Sequence, residues 1–142
     1  MPRITEAILC TGVSNDGQPI DPRRRFFTTD PAVWLRLRIE APRGGQLAAA
    51  WYGPMGVHAG TSLVELPPGP DPQHTVAVFA SLARCKAKFR TEGKWMVVLV
   101  VAEEQALIAE FDVVTPSPYD AAGVGGKDPR VTTGGYLLNR RL

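Results

Sequence analysis

In the middle of the chain Val33, Leu35, Leu37 and Ile39 alternate with Trp34, Arg36, Arg38 and Glu40. A period of two puts the aliphatics on one face and the arginines on the other, which predicts a half-buried strand in an antiparallel sheet. Pro42-Arg43-Gly44-Gly45 then turns the chain, and Leu47, Ala49 and Trp51 continue the alternation on a return strand. Ile4 to Cys10 predicts a first strand, with a turn at Ser14-Asn15-Asp16-Gly17. Gln18 to Arg25 is read as irregular, Phe26 to Thr29 as a short strand, and Asp30-Pro31 as a turn.

Beyond Trp51, Pro54-Met55-Gly56 is a turn and Val57 to Leu66 a weaker strand. In Pro67-Pro68-Gly69-Pro70-Asp71-Pro72, four of six residues lack a backbone N–H, so this stretch predicts a stiff surface loop. Val76, Val78 and Ala80 alternate again, Ala83 to Arg90 allows a helical turn, and Trp95 to Ala102 is the most β-branched run. After a turn at Glu103-Glu104-Gln105, the closing strand carries Ala109, Phe111 and Val113 in phase. About eight strands at roughly ten-residue spacing predict an all-β chain folded as an antiparallel sandwich.

Composition agrees. Gly and Pro, 14 and 13 of 142 residues, make up about a fifth of the chain, as many turns require. No apolar run approaches the ~18 residues of a transmembrane helix. The net charge of +2 is too small to imply a polyanionic partner, and residues 1–114 balance 12 basic against 12 acidic groups. The start, Met1-Pro2-Arg3-Ile4-Thr5-Glu6, lacks a signal-peptide core, so the expectation is a cytoplasmic location, with a signal already removed as the alternative. Cys10 and Cys85 are expected as buried free thiols, although a disulfide across a sandwich is geometrically open to them.

Past Val114 the character changes, dividing the chain into a β-domain at 1–114 and an extended Gly/Pro-rich tail at 115–142. The tail ends in an apolar, basic stretch containing Tyr136, Leu137, Leu138, Arg140, Arg141 and Leu142. Burying its four large apolar side chains gives roughly 8 kcal/mol. Fixing about ten backbone residues costs ~10–20 kcal/mol. Such a tail needs backbone hydrogen bonds from a receiving surface, such as a sheet edge. These residues are therefore expected to dock on a larger protein complex or a sister subunit, with membrane contact at most indirect or peripheral, through pairing of Arg140 and Arg141 with anionic headgroups. Gly134-Gly135-Tyr136-Leu137 with Arg140-Arg141 is also similar to the short Gly-Leu-Arg peptides that load cargo into bacterial nanocompartments.

Leu47-x-Ala49-x-Trp51-Tyr52-Gly53-Pro54-Met55-Gly56, Gly93-Lys94-Trp95-Met96-Val97-Val98-Leu99-Val100-Val101 and Ala109-Glu110-Phe111-Asp112-Val113 carry a resemblance. Over residues 4–114 the chain resembles the immunoglobulin-like β-sandwich modules of bacterial proteins of unassigned role. The paired cysteines and tyrosine corner of antibody domains are absent, so the resemblance implies the general fold and a role in binding or spacing other parts.

Candidate chemistry is sparse. The two histidines, two cysteines and three methionines stand at no recognised ligand spacing, and neither a metal nor another cofactor is expected. Gly125-Gly126-Lys127 is followed by Asp128, where a phosphate loop needs Ser or Thr. No Gly-x-Ser-x-Gly accompanies the histidines, so no enzyme is expected. Arg23-Arg24-Arg25 beside Phe26-Phe27 has the residue types of a single-strand clamp, but neighbouring Asp16, Asp21 and Asp30 favour a loop whose phenylalanines enter the core, and no nucleic-acid partner is expected. The primary expectation is a non-enzymatic accessory or structural subunit. The alternative is a small-ligand or carbohydrate-binding module using Trp34 and Tyr52. Trp34 is out of phase with its aliphatic neighbours and fits a surface aromatic, whereas Trp51 is in phase and fits the core.

Overall fold

The computed structural model describes residues 2–116. The tail residues Tyr136, Leu137, Leu138, Arg140, Arg141 and Leu142 lie outside the described residues. Ten strands run in order: β1 (Arg3–Cys10), β2 (Gly12–Val13), β3 (Pro19–Ile20), β4 (Arg25–Phe27), β5 (Ala32–Glu40), β6 (Gly45–Tyr52), β7 (His58–Leu66), β8 (Gln73–Ser81), β9 (Gly93–Val101) and β10 (Glu104–Val114). A short helix, α1 (Leu82–Cys85), follows β8 where a helical turn was expected. One sheet has the order β1-β5-β8 and the other β4-β10-β9-β6-β7, while β2 and β3 form a separate hairpin. The eight strands of the two sheets match the expected number. Every pairing in the two sheets is antiparallel except that of β4 along β10.

Period-two alternation explains the layers. Val33, Leu35, Leu37 and Ile39 of β5 point inward and are fully buried. They face Leu47, Ala49 and Trp51 of β6, Trp95, Val97 and Leu99 of β9, and Ala109, Phe111 and Val113 of β10. Aromatic rings gather round Phe111: Phe26 and Trp51 meet it edge-on at 5.6 and 6.0 Å, and Trp95 stacks on it at 5.9 Å. The Trp95 indole N–H donates to the Thr91 carbonyl at 2.7 Å. Gly44 carries the β5–β6 turn at φ 71°, where a Cβ would run into the Leu66 carbonyl and come within 2.8 Å of the Pro68 nitrogen.

Two expectations need correction. The stretch 18–25 is not wholly irregular, because Pro19–Ile20 returns along Gly12–Val13. The arginine face of β5 is not uniformly solvated: Arg36 is 3 % exposed. The β2–β3 hairpin lies over that face, bringing Gly17 against Thr75 of β8 and covering Cys10. Beneath it Arg36 pairs with Glu6 at 2.7 Å, and the Arg36 Nε and Nη1 atoms have no hydrogen-bond partner among the described residues.

The basic run is consumed by the fold. Arg23 is buried between Asp21 and Asp30 at 3.3 and 3.2 Å, with its guanidinium over Phe26 and Phe27. Arg24 donates to the Glu110 carbonyl at 3.1 Å, and Phe26 is fully buried. Both cysteines are buried free thiols.

Candidate functional site

β7 and β8 are consecutive in sequence but belong to different sheets, and each is an edge strand. The Pro67–Pro72 loop cannot hydrogen-bond as a ladder, so the chain leaves one sheet and joins the other there. The two free edges face each other along one open side of the sandwich. A cavity of about 190 Å³ opens at the α1 end of that side, lined by Trp51, Ala59, Gly60, Thr61, Ser62, Phe79, Ala80, Ser81, Arg84, Cys85 and Lys88.

Small residues on an inward phase create this space. Gly60 and Ser62 of β7 pair directly with Trp51 and Ala49 of β6, in phase with Val64 and Leu66. Directly opposed residues share a sheet face, so Gly60 holds the position from which a side chain would cover the indole. A Cβ there would meet nothing within 4 Å. The indole itself is 1 % exposed, and its Nε1–H has no hydrogen-bond partner among the described residues. A buried unsatisfied donor of this kind costs ~1–3 kcal/mol. Trp95, equally buried, spends its N–H on Thr91.

The far wall comes from α1. The Ser81 hydroxyl accepts the Arg84 backbone N–H at 3.1 Å and caps the helix start. The turn continues as Phe89 N–H donates to the Cys85 carbonyl, so Arg84 and Lys88, four residues apart, fall on one side. Both are exposed side chains at the cavity rim, and no carboxylate is among the lining residues. Cys85 sits between them with its thiol pKa raised: burial pushes it up, outweighing the pull of Lys88 and Arg84 in the other direction. The raised pKa holds the thiol protonated and unreactive at neutral pH.

Trp34 and Tyr52 are not brought together. Each is half-buried, but Trp34 lies on the outer face of the three-stranded sheet and Tyr52 on the outer face of the five-stranded one. Trp34 stacks on Phe79 at 4.6 Å and so reaches the cavity rim through that ring. Tyr52 instead contacts His58 at 5.5 Å and does not line the cavity. Sequence reasoning passed over Trp51 as plain core and did not single out Arg84, Lys88 or Ser62. The available signal was Gly60 and Ser62 at positions where an inward phase normally carries Val or Leu. Among the described residues, no group of three or more His, Cys, Asp or Glu could hold a metal ion, and no helix is long and apolar enough to cross a membrane.

No protein-family model matches the chain, and no curated protein matches it. Solved structures do. An immunoglobulin-like protein of Pseudomonas aeruginosa matches over 80 % of this chain and 96 % of its own, at 14 % identity and a TM-score of 0.51. The chain has an immunoglobulin-like fold. A β-glucosidase of Listeria innocua, solved in complex with glucose, matches over 80 % of this chain at 10 % identity and a TM-score of 0.51. The match spans 16 % of that enzyme's chain, so the likeness is to one part of it. At such identities the shared property is the immunoglobulin-like sandwich alone.

Proposed function

We propose that this protein is a non-enzymatic binding module that seats a small molecule in the cavity between the β7 and β8 edges. The observation that carries this reading is a cavity walled by the Trp51 ring and rimmed by Arg84 and Lys88, with no carboxylate among its lining residues. The cavity falls below the ~300–1,000 Å³ typical of drug-sized ligands, which limits the occupant to about a monosaccharide. The test is the melting temperature of the intact protein against a panel of monosaccharides and their acids, beside a Ser62→Leu variant that fills the cavity. Ligand-dependent stabilisation of the wild type and none of the variant is expected. Equal stabilisation of both, or of neither, removes the proposal.

One further observation favours a second reading, docking on a larger protein assembly. Met55, fully exposed at φ 64°, stands beside the exposed Val57 at the tip of the β6–β7 turn, and Leu63 is exposed on edge strand β7. In this reading the body at 1–114 meets the partner through these residues, and the tail at 115–142 anchors through Tyr136 to Leu142. Deleting residues 130–142 and changing Met55→Ser would then abolish co-purification from the native host, and unchanged association would discard the reading.

A further inference from the structure

Resting on the small-ligand reading, we infer that the ligand is a small organic acid of sugar size, its anionic group directed to Arg84 and Lys88 and its ring seated against the Trp51 side chain. The charge arrangement carries this. Two cations rim the cavity with no carboxylate among its lining residues, in a body whose charges sum to zero. Arg84 and Lys88 are also uncommitted to the fold: no ion pair with an acid is formed by either among the described residues, whereas Arg3, Arg23, Arg36, Arg38 and Arg90 each face one. The walls suit a ring with polar edges. Trp51, Phe79, Ala59 and Ala80 supply apolar and aromatic surface, and Thr61, Ser62 and Ser81 supply hydroxyls.

Each rim cation, acting at high dielectric about 4 Å from the anion, contributes about fivefold in affinity. Together they favour an acid over its uncharged counterpart by at least tenfold, a preference that salt screens. D-Glucuronate and D-glucose share a ring and differ in that charge. Isothermal titration calorimetry of the intact protein with each sugar, at low and high salt, reads the preference directly. The variant Arg84→Gln/Lys88→Gln changes only exposed side chains, because the helix cap uses the Arg84 backbone N–H. Tenfold or tighter binding of glucuronate, reduced to under threefold in the double variant and by 0.5 M salt, is the expected result. Equal affinity for the two sugars overturns the acid preference and leaves the cavity site standing. Glucuronate binding undiminished in Ser62→Leu overturns the cavity site itself, and binding of neither sugar at millimolar concentration overturns this inference.

Discussion

Two buried indoles in one core differ in one respect that can be weighed. Trp51 and Trp95 are 1 % and 0 % exposed, and both contact Phe111. Trp→Phe at either site therefore removes nearly the same buried volume, and the packing loss largely cancels in the comparison. The hydrogen-bond contributions do not cancel. Trp95→Phe removes the donor to the Thr91 carbonyl and leaves that buried acceptor alone, at ~1–3 kcal/mol. Trp51→Phe removes a donor that has no partner among the described residues, recovering a penalty of similar size. Trp95→Phe should thus destabilise the protein by about 3 kcal/mol more than Trp51→Phe. For a domain of this size that is a gap of roughly 10 °C in melting temperature. Urea unfolding followed by far-ultraviolet circular dichroism measures both variants without relying on tryptophan emission, and unchanged m-values license the comparison. Equal losses, or a larger loss at Trp51, would refute the reasoning by showing that the Trp51 N–H is already satisfied in the ligand-free protein.

Other consequences follow from the same structure. Arg36→Met should cost less stability than Glu6→Ala, because the first removes a buried cation with two unpaired nitrogens and the second leaves it without its carboxylate; chemical denaturation compares them. Ala102 and Glu103 form the two-residue β9–β10 turn at φ 52° and 69°, so Glu103→Gly should raise stability by about 1 kcal/mol, seen as a higher denaturation midpoint. Burial raises the pKa of both Cys10 and Cys85 above that of a free thiol. The unfolded chain therefore ionises first as pH climbs, so their contribution to stability is complete below the free-thiol pKa and disappears as pH rises through the folded-state values. Maleimide labelling of native Cys85 should accordingly keep accelerating above pH 9, and the cavity ligand should slow it.

Much of the fold was legible because a sandwich writes its core as alternation. The phases of β5, β6, β9 and β10 place Leu35, Trp51, Leu99 and Phe111 inside, and all four are buried. Arg36 was misread because alternation reports which face a residue occupies, not what later covers that face. The β2–β3 hairpin is only two residues a side, too short to leave a periodic signal. The cavity was hidden for a related reason. It depends on Gly60 standing opposite Trp51 and on an edge from each sheet meeting across the open side, relations set by register and topology. Trp34 was rightly set apart from the core by its phase, yet its stacking on Phe79 needed the β5–β8 pairing to be seen. The tail residues of the docking reading, Tyr136 to Leu142, lie outside the described residues.

The chain holds three tryptophans, so its nitrogen–proton correlation spectrum contains three indole signals, from Trp34, Trp51 and Trp95. Titrating the intact, isotope-labelled protein with D-glucuronate tests the cavity site at the ring that forms its wall. The Trp51 signal should move saturably as the sugar settles against its ring, while the Trp95 signal, from an indole that does not line the cavity, stays in place. A stationary Trp51 signal at millimolar sugar, or equal movement of Trp51 and Trp95, would contradict a ligand site beside Trp51.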